Sequence, residues 1–277
     1  MTKDASTDPG TGRSPWSTQV RRAAAALGMA NESLAAVGGE SGQTWACGEH
    51  ILRMGAPDVL DRERAAMTAA ASVVPVPEVL QEARYVDDRG RAHAVLLLTR
   101  LRGRPAWDVG DLSPAQARRH GEAGGAAQLA LAAVAPPPVL AGVPNSTLAP
   151  EAEPPSLAGG DSLLHLDLHP LNVLVNAAGE VSGVVDWANT AAGPSVLDRA
   201  RTWSILTLDP AVLARRFEPR VAALVRGWSD AAGFEDLPAQ ARAWACRFML
   251  DDLAGRYPED RLAHVRRRLD ADTGADL

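Results

Sequence analysis

Apolar and polar positions along the chain fall into two regimes. From Leu34 to Leu98 short apolar runs recur with turn residues between them. Leu34–Val37, Thr44–Cys47 and His50–Met54 read as three strands, and the third alternates. Ile51, Arg53 and Gly55 share one of its faces, Leu52 and Met54 the other. Glu78–Val86 and Ala92–Leu98 read as a hairpin around Asp87-Asp88-Arg89-Gly90. Two helical stretches interrupt this region. Trp16–Leu27 has apolar residues at Trp16, Val20, Ala24 and Leu27; Pro57–Ala71 carries Asp58 and Asp61 at its positive end and stops before Pro75 and Pro77. Beyond residue 100 the helical period dominates. Ser113 as N-cap and Pro114 in the first turn open a helix running towards Val134, weakened locally by Gly121, Gly124 and Gly125. Residues 135–155 are rich in Pro and Ala and read as a linker or a substrate-facing loop. Helices are expected again over Val196–Leu206, Ala211–Ala231, Pro238–Ala254 and Pro258–Leu269.

One stretch of this second half departs from the helical period. Leu163-Leu164 and Val173-Leu174-Val175 read as strands around a polar loop holding His165, Asp167 and Asn172. A second apolar strand, Val181–Val185, follows the turn Ala177-Ala178-Gly179-Glu180 and ends in Asp186-Trp187. Asp167 and Asn172 are five apart, the spacing of the loop in which a carboxylate meets the proton of an attacking hydroxyl and an amide oxygen helps hold a metal. Hard Mg²⁺ takes oxygen ligands, often one or two from protein plus phosphate oxygens, and Asn172 and Asp186 supply two.

The run H-x-D-L-H-P-x-N-V-L-V, the Gly-containing turn and V-V-D-W resemble the aminoglycoside phosphotransferase family, itself similar to choline kinases and more distantly to protein kinases. The resemblance covers about residues 34 to 205. Leu166 departs from it, standing where the family usually has Gly. The resemblance implies an α+β, two-lobed protein-kinase-like fold. Residues 1–15 would be a disordered tail. An N-lobe at 16–100 would carry a five-stranded antiparallel sheet plus a helix, and 101–277 would form a mostly helical C-lobe. It implies Asp167 as the catalytic residue, base or orienter of the hydroxyl, Asn172 and Asp186 as metal ligands, and His165 and Asp198 as supports of the loop. Gly39, Ser41 and Gly42 of the turn Gly38–Gln43 would approach the nucleotide phosphates, with Thr99 and Leu101 at the hinge beside the base. The third strand of relatives usually presents a lysine to the α- and β-phosphates. Lys3 is the only lysine here and lies in the tail, so Arg53 takes that place, paired with Glu63.

Composition narrows the partners. Residues 1–100 hold 11 basic and 12 acidic side chains and residues 101–277 hold 17 and 22, which together give the net charge of −6. An acidic second half disfavours nucleic acid and mildly favours a cationic or neutral substrate. The chain lacks a Gly-Lys-Ser/Thr, which excludes a Walker A loop. With two cysteines far apart, no signal-like N-terminus and no apolar run of ~20 residues, the chain reads as cytoplasmic, without membrane partner. The resulting expectation is a Mg²⁺-dependent enzyme, monomer or homodimer. It would transfer the γ-phosphoryl group of ATP or GTP to a hydroxyl of a small molecule, foremost an antibiotic, conferring resistance by modification. The rivals are a metabolic kinase for an amino-alcohol, a sugar or homoserine, and a catalytically dead nucleotide-binding module.

Overall fold

The computed structural model describes residues 15–37, 43–140 and 160–274. The N-terminal tail, Gly39, Ser41 and Gly42 of the glycine-rich turn, and most of the Pro/Ala-rich stretch lie outside them. Contacts divide the chain into two units: residues up to Asp61 with Glu78–Arg100, and Arg62–Pro77 with Leu101 onward.

In chain order the first unit contributes α1 (Pro15–Ala26), β1 (Ala35–Ala36), β2 (Thr44–Cys47) and β3 (His50–Gly55). The unit boundary falls inside α2 (Pro57–Ala70), after which β4 (Val79–Val86) and β5 (Ala92–Thr99) complete the first unit. The strands form one antiparallel sheet in the order β1-β2-β3-β5-β4. Alternation decides which face is buried. Leu52 and Met54 of β3, with Val95 and Leu97 of β5, pack against Val20, Ala23, Ala24 and Leu27 of α1. The β4–β5 turn is pinned by Asp87, whose carboxylate accepts the backbone N–H groups of Arg89 and Arg91 and contacts the side chains of Arg91 and His93.

The second unit is mostly helical. It runs β6 (Arg104–Pro105), α3 (Pro114–Leu131), β7 (Asp161–Leu164), β8 (Val173–Val175), β9 (Val181–Val184), β10 (Ala191–Pro194), α4 (Ser195–Leu208), α5 (Pro210–Ala214), α6 (Pro219–Ala232), α7 (Ala239–Leu253) and α8 (Glu259–Thr273). The strands β6, β8 and β9 make a small sheet, and β7 pairs with β10. Ser113 and Gln116 close a reciprocal capping box at the start of α3.

The glycines of α3 have a packing role that periodicity alone does not disclose. A Cβ on Gly121 would stand 2.0 Å from the Leu224 carbonyl oxygen, and one on Gly124 would stand 2.3 Å from the Trp228 ring. Across the contact, a Cβ on Gly227 would meet the Arg118 oxygen at 2.2 Å. Glycine costs ~1 kcal/mol of helix propensity, and here it lets α3 and α6 approach backbone to backbone. Two expectations from sequence need correcting. Gly193-Pro194-Ser195 reads from sequence as a break before the helix, yet Ala191–Pro194 is a strand in register with Asp161–Leu164. The single helix over Ala211–Ala231 is two helices. Pro219 has no N–H to continue a helix, α5 has its own N-cap in Asp209, and an Arg215–Glu218 pair bridges the break.

Among the described residues no helix is long and apolar enough to cross a membrane. Cys47 and Cys246 are both buried and unpaired. Burial, reinforced by nearby Asp272, pushes the Cys246 thiol up to about 12.

Candidate active site

The polar loop between β7 and β8 is built from backbone outward. Leu166 has φ 60 and Asp186 has φ 63; among the described residues they are the only non-glycine positions with positive φ. Left-handed backbone costs an L-residue roughly 1–2 kcal/mol, so each must be held by its surroundings. At Leu166 the hold is explicit. Asp198 of α4, 5% exposed, accepts the His165 N–H at 2.9 Å and the Leu166 N–H at 2.6 Å on one carboxylate oxygen. The Leu166 side chain is fully buried. This conformation gives a physical reason for the glycine usual at this place, and the chain keeps the turn with leucine.

His165 ties the loop to the end of β9. Its Nδ1 lies 3.3 Å from the Asp167 N–H and its Nε2 lies 3.1 Å from the Val185 carbonyl oxygen. An N–H faces one ring nitrogen and a carbonyl faces the other, which assigns the proton to Nε2. Burial holds this imidazole below its ordinary pKa, against the opposing pull of Asp198, Asp167 and Asp186. The Trp187 ring packs on it at 4.7 Å between centroids. Val185 is held a second time, its N–H donating to the Asn172 carbonyl at 2.9 Å. Asp186, next in the chain, is therefore anchored to the same loop as Asp167 and Asn172.

Asn172 spends its amide on Asp167. Nδ2 donates to the Asp167 carbonyl at 2.9 Å and to its Oδ2 at 3.2 Å. Among the described residues its Oδ1 accepts no hydrogen bond, and neither does the exposed carboxylate of Asp186. These are two uncommitted oxygen donors beside one carboxylate. Among the described residues no group of three or more His, Cys, Asp or Glu could hold a metal ion. A sparse, all-oxygen donor set suits Mg²⁺ with phosphate oxygens completing the shell, and does not suit zinc.

His169, which motif spacing alone did not single out, stands 3.6 Å from Asp167 Oδ1. Burial pushes the Asp167 carboxyl upward, but the adjacent His169, with Arg201 and His165 behind it, brings it below the ordinary carboxylate value. Arg201 of α4 is 3% exposed, donates to Asp252 at 2.6 Å and lies 4.3 Å above the Phe248 ring centroid; among the described residues its Nε and Nη1 have no partner. His169 sits inside the motif and was open to discovery. Arg201 had no signal beyond lying three residues after Asp198.

The remaining expected residues are placed as follows. Arg53, on β3, is 7% exposed and lies 3.3 Å from the Thr44 hydroxyl. Glu63, on α2, is 3% exposed and belongs to the second unit. Thr99 ends β5 and accepts the Glu78 N–H on its hydroxyl. Leu101 packs on Gly183, where a Cβ would stand 2.6 Å from its Cδ1.

Solved structures share this fold. The GDP and kanamycin complex of APH(2″)-IIIa is 14% identical, with a TM-score of 0.60, over 94% of this chain and 99% of that one. The aminoglycoside phosphotransferase APH(4)-Ia is 15% identical, with a TM-score of 0.57, over 88% and 94%. The amicoumacin kinase hAmiN, in complex with AMP-PNP, Ca²⁺ and amicoumacin, is 12% identical, with a TM-score of 0.55, over 87% and 88%. No curated protein matches the chain by sequence. A five-stranded antiparallel sheet in one unit and an aspartate–asparagine loop in a mostly helical other define a protein of the kinase-like class. Within that class the chain belongs to the phosphotransferase enzyme family, APH, whose model matches residues 34–152 and 146–244.

Proposed function

We propose that the chain is a Mg²⁺-dependent O-phosphotransferase that moves the γ-phosphoryl group of ATP or GTP to a hydroxyl of a small molecule. One observation carries the reading. The Asp167 carboxylate is fixed by the Asn172 amide, while among the described residues Asn172 Oδ1 and the Asp186 carboxylate stay uncommitted, with Val185 tying Asp186 to Asn172 through the backbone. Asp167 orients the acceptor hydroxyl and takes its proton. A carboxylate is anionic at neutral pH and free to accept, and its surroundings favour that form. Asn172 and Asp186 would hold the metal, which when bound supplies charge neutralisation at the phosphates. Arg53 would meet phosphate oxygens through its planar guanidinium. His165 and Asp198 fix the backbone on which Asp167 rides.

An antibiotic is the favoured acceptor, because three relatives by fold carry antibiotic-modifying names or ligands. The catalytically dead alternative rests on Arg53 and Leu166, the two departures from the family pattern, and the intact Asp167, Asn172 and Asp186 oppose it. The buried, doubly bonded turn at Leu166 speaks against it. A coupled assay of ADP or GDP release tests the reading across aminoglycosides, other antibiotics, amino-alcohols and sugars, with and without Mg²⁺. Acceptor-dependent release that needs the metal is expected. Nucleotide binding with no turnover on any acceptor would overturn the enzymatic assignment.

A further inference from the structure

Gln128 lies in the last turn of α3, 1% exposed, about 40 residues before the catalytic loop in sequence. A buried primary amide is costly unless all its groups are bonded. Here they are. The Trp228 indole of α6 donates to Gln128 Oε1 at 3.1 Å. Gln128 Nε2 donates to the Thr202 hydroxyl at 2.7 Å and is shared between Asp198 Oδ2 at 3.1 Å and the Asp198 carbonyl at 3.2 Å. An indole can only donate and an ionised carboxylate can only accept, so the amide orientation is fixed by chemistry.

Two branches leave this amide and end on either side of Asp167. Through Asp198, the other carboxylate oxygen receives the N–H groups of His165 and Leu166. Through Thr202, whose hydroxyl accepts from Gln128 and donates onward, the second branch reaches the Leu168 carbonyl oxygen at 2.7 Å. Asp198, Thr202 and Trp228 are each at most 5% exposed. Glutamate would lack both donors and set a second carboxylate against Asp198. Methionine would fill the volume and bond nothing. Only a residue with two N–H donors and one acceptor at this reach serves both branches.

We propose that Gln128 is a positioning residue for phosphoryl transfer, a buried junction that fixes the backbone before and after Asp167 at once. The inference rests on the phosphotransferase reading for its consequence, and on these hydrogen bonds for its mechanism.

The test combines hydrogen exchange on the full-length protein with steady-state kinetics of nucleotide hydrolysis, water serving as acceptor. In Gln128→Met, the amides of residues 163–169 should exchange at least ~10-fold faster while α6 and α7 keep their protection. Turnover should fall at least ~10-fold with the nucleotide KM within about twofold, the signature of lost orientation. Thr202→Val should loosen the Leu168 side alone and add little in the Gln128→Met background, because both act through one junction. Unchanged exchange over 163–169 would overturn the proposal. So would a uniform rise across α3, α4 and α6, which marks a purely packing role, or a raised KM with constant kcat. If Gln128→Met does not fold, Thr202→Val alone decides by the same exchange readout. The exchange arm needs no acceptor, so failure of the phosphotransferase reading and failure of this one give different results.

Discussion

Two residues of the site share a backbone conformation and little else. Leu166 and Asp186 both sit in the left-handed region, at φ 60 and 63. Leu166 is fully buried and its N–H is gripped by Asp198. Asp186 is exposed, and its carboxylate accepts nothing among the described residues; only its neighbour Val185 is tied down. At the first the conformational cost is met inside the protein, by packing and a buried carboxylate. At the second a costly backbone aims an uncommitted oxygen donor, the arrangement expected where a ligand completes the site. The same dihedral thus marks a structural turn in one place and, under the proposed function, a metal-binding position in the other.

That contrast can be broken by mutation. The largest expected effect is Asp198→Ala. It orphans the buried N–H groups of His165 and Leu166, at about 1–3 kcal/mol each, and removes what holds the Leu166 turn. Urea denaturation should show a loss of about 3 kcal/mol or more, whereas Asp186→Asn should stay within about 0.5 kcal/mol of wild type yet raise the Mg²⁺ requirement sharply. Comparable stability losses in the two variants would erase the distinction.

Glycine substitution sharpens the comparison at a smaller scale. Leu166→Gly relieves the left-handed backbone by ~1 kcal/mol but forfeits a buried leucine worth about 2–5 kcal/mol, so it should destabilise by roughly 1–4 kcal/mol. Asp186→Gly loses no buried side chain, and backbone relief there is offset by glycine's greater entropy loss. It should change stability by less than about 0.5 kcal/mol while abolishing metal-dependent turnover. Equal melting shifts for the pair would show that both turns are held alike.

The smallest effect concerns acid. Burial lowers the pKa of His165 and of His120 in α3. A folded-state pKa below the unfolded value of ~6.5 means the unfolded chain binds more protons, so stability is full above that pH and lost as pH falls below it. Unfolding free energy should therefore decline from pH 7.5 to 5.5, and His120→Gln should flatten part of that decline. Parallel curves for wild type and variant would remove His120 from the account.

How far the site was legible follows from how local its chemistry is. Asp167, Asn172 and His165 fall within eight residues, and their types and spacing point to the proposed reaction before any fold is known. The five-stranded sheet was legible from alternation because one face of β3 and β5 meets α1. Gln128 was not, since its partners lie 70 to 100 residues away and nothing in α3 marks it. The packing role of the α3 glycines was hidden for the same reason: propensity counts their cost locally, while their benefit is the close approach of Leu224 and Trp228. The split of α5 from α6 was signalled by Pro219 and overlooked within an otherwise apolar-periodic run.

In the proposed reaction the Asp167 carboxylate, fixed by Asn172, performs the proton step of phosphoryl transfer. The most direct test is Asp167→Asn, with turnover on the acceptor found in the release assay and nucleotide affinity measured on the same preparation. The account predicts a fall in kcat of about 10²–10⁴-fold with nucleotide affinity within about threefold of wild type. Turnover retained within tenfold, a barrier change of only ~1.4 kcal/mol, would contradict it.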